Sequence, residues 1–117
     1  MPTPILVVDD DAAIRQLLFT ALESEGYTVS LARHGREALL RIAEQRPSLI
    51  LLDLNMPVMD GWTLHATLRA QHAAIPVVFM TAGYQACREA ERHGADGGLA
   101  KPFELDEVLQ LVERFAA

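Results

Sequence analysis

The sequence holds a single cysteine, Cys87, and a single tryptophan, Trp62, among 117 residues. One cysteine cannot close an internal disulfide, so nothing in the chain asks for an oxidising compartment. Basic residues are also short. Ten lysines and arginines stand against sixteen aspartates and glutamates, for a formal net charge of -6. A phosphate backbone is bound by a basic stripe, and this balance argues against a nucleic-acid surface. No apolar run approaches the roughly 20 residues of a membrane helix. Met1-Pro2-Thr3-Pro4 lacks the basic start and apolar stretch of a secretory leader. A cytoplasmic location with no membrane partner is the expectation. Repeats, low-complexity tracts and linkers are missing too. Lysine is as scarce as cysteine and tryptophan: among ten basic residues only Lys101 is one, the rest being arginines. A chain that otherwise uses arginine has a use for a compact ammonium at that position.

What the sequence does have is an alternation of short apolar runs with amphipathic segments. Half of its residues are hydrophobic, and its length suits one domain, residues 1–117, with a real core. Ile5-Leu6-Val7-Val8, Leu49-Ile50-Leu51-Leu52 and Val77-Val78-Phe79-Met80 are unbroken runs of strand length, as in strands covered on both faces. Thr28 to Ala32 and Gly97 to Ala100 are weaker strand candidates. Ile14, Leu17, Leu18, Ala21 and Leu22 follow the spacing of a buried helical stripe. Ala38, Leu39, Ile42 and Ala43 form a second stripe, stopped by Pro47. Asp60 is placed to cap a third helix carrying Leu64 and Leu68. A fourth, from Tyr84 to His93, offers only the small inward candidates Ala86, Cys87 and Ala90. Leu105, Val108, Leu109, Val112 and Phe115 make the last. Five strands alternating with five helices predict a doubly wound α/β domain with a parallel sheet. The last helix runs to the end of the sequence, and the expectation is a domain that stands alone.

In such sheets the working crevice lies at the carboxyl ends of the strands. Strand 1 ends in Asp9-Asp10-Asp11, strand 3 in Asp53, strand 4 in Thr81, and strand 5 runs into Lys101-Pro102. Taken singly, each has a bland reading as a helix cap or a solvated loop residue, and Asp11, directly before the first helix, is expected to be such a cap. As a set they bring like charges together, and a divalent cation relieves that repulsion. Oxygen donors without cysteine or clustered histidine select magnesium, which keeps waters and meets phosphate oxygens. Lys101 and Thr81 are then positioned to contact a phosphoryl group. His34, His65, His72 and His93 have no metal-ligand spacing and read as surface residues. Trp62 reads as partial packing, Cys87 as a small core residue, and Arg88, Glu89, Glu91 and Arg92 as a solvated face.

With these residues in view the sequence resembles the response-regulator receiver family, CheY-like and flavodoxin-like in fold. Ile5-Leu6-Val7-Val8-Asp9-Asp10-Asp11, Leu52-Asp53-Leu54-Asn55-Met56-Pro57, Met59-Asp60-Gly61, Met80-Thr81-Ala82 and Lys101-Pro102-Phe103 carry the likeness, in order and across nearly the whole chain. The resemblance implies a sheet order of 2-1-3-4-5 and a cis Lys101-Pro102 peptide. It implies that Asp53 accepts a phosphoryl group from a histidine kinase or phosphotransfer protein in a magnesium-dependent reaction, and that a conformational change passes the signal to a downstream protein. Asp10 and Asp53 would bind Mg2+ directly, Asp9 through water, and Asn55 through its main-chain carbonyl. Thr81 and Lys101 would hold phosphoryl oxygens. Such a domain promotes its own phosphorylation and dephosphorylation without being an enzyme on other substrates, as a monomer or weak dimer.

Two departures stand out. Gly98 occupies the place, three residues before the lysine, where the family usually carries an aromatic switch, and the interval from Thr81 to Lys101 is slightly short. Signal transmission is therefore expected to run through ordering of the segment from Ala82 to Gly94. The same departures support an alternative, a degenerate receiver acting as a phosphorylation-independent binding module. A flavodoxin-like electron carrier fits the architecture, but three aspartates after strand 1 would repel the cofactor phosphate. A magnesium-dependent phosphatase generally wants a second acid two residues after the nucleophile, where this chain has Asn55.

Overall fold

A computed structural model of the chain describes residues 4–54, 61–71, 75–82, 88, 92 and 94–115, with residues 61, 62, 71 and 82 described through their backbone only. The strands are β1 (Ile5–Val8), β2 (Val29–Ala32), β3 (Leu49–Asp53), β4 (Val77–Ala82) and β5 (Gly97–Lys101). Helices α1 (Ala12–Ser24), α2 (Gly35–Glu44), α3 (Gly61–Gln71) and α4 (Leu105–Phe115) are the four longer than one turn among the described residues. The helix expected from Tyr84 to His93 lies largely outside the described residues, so the expected count of five is not met by them. All five strands are parallel, in the order β2-β1-β3-β4-β5. That is the 2-1-3-4-5 order expected.

Strict alternation along the strands explains why the runs are apolar throughout. Leu6, Val8, Ile50, Leu52, Val77 and Phe79 pack with Ala38 and Ile42 of α2 and with Leu64 and Leu68 of α3. Their neighbours Ile5, Val7, Leu49, Leu51, Val78, Met80 and Leu99 pack with Leu18 and Leu22 of α1 and with Val108 and Val112 of α4. Because successive side chains point to opposite faces, a sheet with helices on both sides leaves no position for a polar residue within these three central runs. Burial of a large aliphatic side chain contributes about 1.5–3 kcal/mol, so this double core is the main source of stability.

Local chemistry sets the helix starts. The Asp11 carboxylate accepts hydrogen bonds from the amides of Ala13 (2.8 Å) and Ile14 (3.3 Å), so Asp11 is the cap expected for α1. For α2 the cap is His34, whose Nδ1 accepts from the Glu37 amide at 3.2 Å. Glu37 reaches back to accept from the Arg33 amide at 3.0 Å, a reciprocal arrangement close to a capping box. Gly26 ends α1 with a φ of 92°, a conformation that favours glycine. The expected cap Asp60 lies outside the described residues.

Three stripe positions depart from expectation. Leu17 is 47% exposed, Leu105 is 37% exposed, and Ala43 is exposed. In α1 the inward arc is narrow, centred on Leu18 and Leu22 with Ile14 packed at its margin, and Leu17 falls outside it. The larger correction is His65. It is buried rather than on the surface, with its ring edge-on to Phe79 at 4.8 Å between centroids. Its Nε2 accepts a hydrogen bond from Arg69 Nε, one helical turn on, at 3.2 Å. Arg69 also donates to the Gly94 carbonyl, tying α3 to the segment that leads into β5.

Candidate functional site

The register of the sheet brings the singled-out residues to one edge. Val8 pairs with Leu52, which places Asp9 level with Asp53 on the neighbouring strand. Asp53 pairs with Met80, so Thr81 stands one residue further along β4. Lys101 pairs with Ala82 at the end of β5. Two strand spacings, roughly 10 Å, separate β5 from β3, and a long side chain is needed to cross them. Lys101 does so. Its Nζ lies 2.8 Å from Asp9 Oδ2 and 3.5 Å from Asp53 Oδ1. The Lys101-Pro102 peptide is cis, as the resemblance implied.

Asp9 is fully buried and held at every polar atom. Its amide donates to the Ala32 carbonyl (3.1 Å), and its own carbonyl accepts from Arg15 Nη1 (2.7 Å). One carboxylate oxygen accepts from the Asp11 amide (2.9 Å) and the other from Lys101 (2.8 Å). Asp53 and Thr81 are buried, and Asp10 is exposed at the mouth. Burial by itself would lower the Lys101 pKa. The hydrogen bond and charge of Asp9, with those of Asp53, outweigh it and hold the ammonium above the ordinary lysine range.

Asp9, Asp10 and Asp53 each offer a carboxylate oxygen, and those oxygens all lie within 4.8 Å of one another. Three hard oxygen donors at that spacing, with one residue open to solvent, fit a magnesium ion that retains part of its water shell. Asn55, expected to add its carbonyl, lies outside the described residues, as do Gly83, Cys87, His72 and His93. Gly98 sits in β5 and lines, with Leu99, Glu107, Gln110, Leu111 and Arg114, a groove of about 390 Å³ along α4. Sequence reasoning missed Arg15; its signal was an arginine on the first turn and a half of the helix that follows three aspartates. Among the described residues no helix is long and apolar enough to cross a membrane.

A doubly wound sheet with an acidic triad and a lysine at its carboxyl edge is the receiver arrangement, and the chain belongs to that family: residues 5–113 match the response regulator receiver domain. Receiver domains are phosphoacceptor signalling domains of two-component systems and bind Mg2+ at an acidic pocket. Among curated relatives, the response regulator MprA of Mycolicibacterium vanbaalenii is 43% identical over 111 residues, covering 93% of this chain and 48% of that protein. The DNA-binding transcriptional regulator NtrC of Salmonella typhimurium is 40% identical over 112 residues, covering 94% of this chain and 24% of that protein. The chain thus spans about half of the one and a quarter of the other. Among solved structures, the chemotaxis protein CheY4 of Vibrio cholerae matches with a TM-score of 0.88 at 34% identity, covering 98% of this chain and 99% of that one. The receiver domain of NtrX from Brucella abortus matches with a TM-score of 0.89 at 33% identity, covering 96% and 97% of the two chains.

Proposed function

We propose that residues 1–117 act as a single receiver unit that accepts a phosphoryl group on Asp53 from a histidine kinase or histidine phosphotransfer protein. The observation that carries this reading is the Lys101 ammonium set between Asp9 at 2.8 Å and Asp53 at 3.5 Å. An Asp53 oxygen forms the bond to phosphorus while the bond from phosphorus to the donor's imidazole nitrogen breaks, giving an acyl phosphate. Lys101 offsets the charge on the transferring group, and the Thr81 hydroxyl donates to one of its oxygens. Asp10, Asp53, the Asn55 main-chain carbonyl and, through water, Asp9 would hold Mg2+. The ion, when bound, supplies positive charge to the phosphoryl oxygens. Asp9 orients Lys101, since its four hydrogen bonds leave it no freedom to turn.

A downstream protein would read the phosphorylated state, with the chain a monomer or weak dimer in the cytoplasm. The net charge of -6 supports a protein target rather than nucleic acid for this unit itself. Incubation with acetyl phosphate and Mg2+, followed by intact mass, tests the reading. One phosphoryl adduct is expected, lost in Asp53→Asn. Absence of an adduct would favour the alternative that Gly98 keeps open, a binding module indifferent to phosphorylation.

A further inference from the structure

The sheet has two edges, β2 and β5. An edge strand presents amides and carbonyls with which a further strand can pair. In β2 the carbonyls of Thr28 and Ala32 accept from the Ile5 and Asp9 amides, so residues 28, 30 and 32 face β1. Val29, Leu31 and, directly after the strand, Arg33 therefore turn their amides and carbonyls outward. Helix α2 covers part of that edge. Glu37 Oε1 accepts from the Arg33 amide at 3.0 Å, and Arg41 Nε donates to the Leu31 carbonyl at 3.2 Å. These are the two groups that one residue of a sixth, parallel strand would bridge with its own carbonyl and amide. A carboxylate and a guanidinium one helical turn apart stand in that residue's place. Both are braced: Glu37 Oε2 accepts from Arg33 Nη2 at 3.1 Å, and Arg41 Nη1 pairs with Glu44 at 3.5 Å. The cover reaches Leu31 and Arg33, and Val29 lies beyond it.

We propose that the outer edge of β2 is an interface for a second copy of this chain, held shut by Glu37 and Arg41. The run Thr28-Val29-Ser30-Leu31-Ala32 has no charged side chain in a protein of net charge -6, so two copies meet there without the repulsion that acts elsewhere. An edge also complements itself. Two β2 strands related by a two-fold axis run antiparallel, and each offers the other the same amides and carbonyls. The register that pairs residues 28–32 in full sets Val29 against Leu31 as hydrogen-bonded pairs. It sets Ser30 against Ser30, where the Cα atoms of opposed residues lie about 4.5 Å apart. Pairing at Leu31 and Arg33 requires the Arg41 and Glu37 side chains to leave. The interface uses none of the pocket residues, so its failure leaves the Asp53 reading untouched.

Sedimentation equilibrium of the native protein and of the double variant Glu37→Ala, Arg41→Ala tests this, with circular dichroism to show that each is folded. Two hydrogen bonds in each copy stand against pairing, so the double variant is expected to self-associate about a hundredfold more tightly. Arg41→Ala alone keeps the His34 and Glu37 contacts at the start of α2 and is expected to give about tenfold. It reads the same effect if the double variant loses its fold. In a Cys87→Ser background, Ser30→Cys is expected to give a disulfide-linked dimer on mild oxidation of the double variant, since opposed residues at that spacing can be bridged. Where Glu37 and Arg41 are both present, the cross-link is expected to be largely lost. Dissociation constants equal to the native value in both variants overturn the proposal. Tighter association without the Ser30→Cys cross-link also overturns it, because the copies then meet elsewhere.

Discussion

Arg15, on the second turn of α1, donates from Nη1 to the main-chain carbonyl of Asp9 at 2.7 Å. That carbonyl precedes Asp10, so the bond fixes the peptide joining the two pocket acids. Loss of the donor leaves a carbonyl on a fully buried residue without this partner, which costs about 1–3 kcal/mol. Arg15→Ala is expected to lower stability by that amount in urea unfolding. It is also expected to weaken Mg2+ binding under conditions where the protein stays folded. Lysine at this position should recover part of both, and Mg2+ affinity equal to the native value in Arg15→Ala would show that the bond does not position the site.

Repulsion among Asp9, Asp10 and Asp53, with oxygens within 4.8 Å, makes the pocket the place where a cation acts on stability. Mg2+ at a hundred times its dissociation constant should stabilise the fold by about 2.7 kcal/mol. Asp10→Asn is expected to abolish that gain. Without Mg2+ the same substitution should leave stability equal or raised, because an exposed member of the cluster loses its charge. Thermal unfolding of both proteins with and without Mg2+ decides it; a loss of stability in Asp10→Asn without Mg2+ would contradict the account.

Much of this was legible in the chain because parallel sheets hide both faces. That is why Ile5 to Val8, Leu49 to Leu52 and Val77 to Met80 could be read as strands, and why the residue after each run pointed to the pocket. Side chains that meet across helices were less legible. His65 stands between Leu64 and Leu68, and its burial depends on Arg69 a turn later satisfying Nε2, a pairing that periodicity does not register. His34 as a cap was missed because histidine is an unusual N-cap, although Glu37 three residues later was a usable signal. Leu17 was misread because a stripe drawn from sequence is wider than the arc α1 buries.

Core placement of His65 gives a direct test. Its ring meets Phe79 edge-on at 4.8 Å and anchors α3 to β4, two residues before Thr81. His65→Ala should create a cavity behind Phe79, at about 2–4 kcal/mol. A surface histidine would show a change within about 0.5 kcal/mol. Urea unfolding separates the two.

Glu37 carries an acid-side prediction. Burial pushes its pKa up, but the Arg33 amide and guanidinium, with the charge of Arg41, overcome this and hold it below the ordinary carboxylate value. A lowered folded-state pKa means that the stabilisation is present above the unfolded value, about 4.3, and fades as pH falls through the folded one. The Arg33 side chain is 65% exposed, so solvent screening keeps the contribution small, about 0.5 kcal/mol. Glu37→Gln should therefore be slightly less stable than the native sequence at neutral pH, and the gap should close in acid. A gap that widens in acid would mean that Arg33 does not hold this carboxylate.

Lys101 carries the opposite sign. Its pKa is raised in the folded state despite burial, through Asp9 first and Asp53 second. Stabilisation from a raised basic group is complete below the unfolded value, about 10.4, and is lost as pH rises through the folded one. Lys101→Met leaves Asp9 buried without its cation. The cost is about 2–3 kcal/mol, less than a fully sealed pair because solvent still reaches the ammonium. Urea unfolding at pH 8 should show that full deficit. Above that unfolded value the native protein progressively loses this stabilisation, and the deficit should shrink. If the deficit held constant across that range, the ammonium would not be stabilising the fold through Asp9. The acid pocket would then owe its geometry to Arg15 and the Asp11 amide alone, since these are the remaining donors to Asp9 that do not lose a proton there.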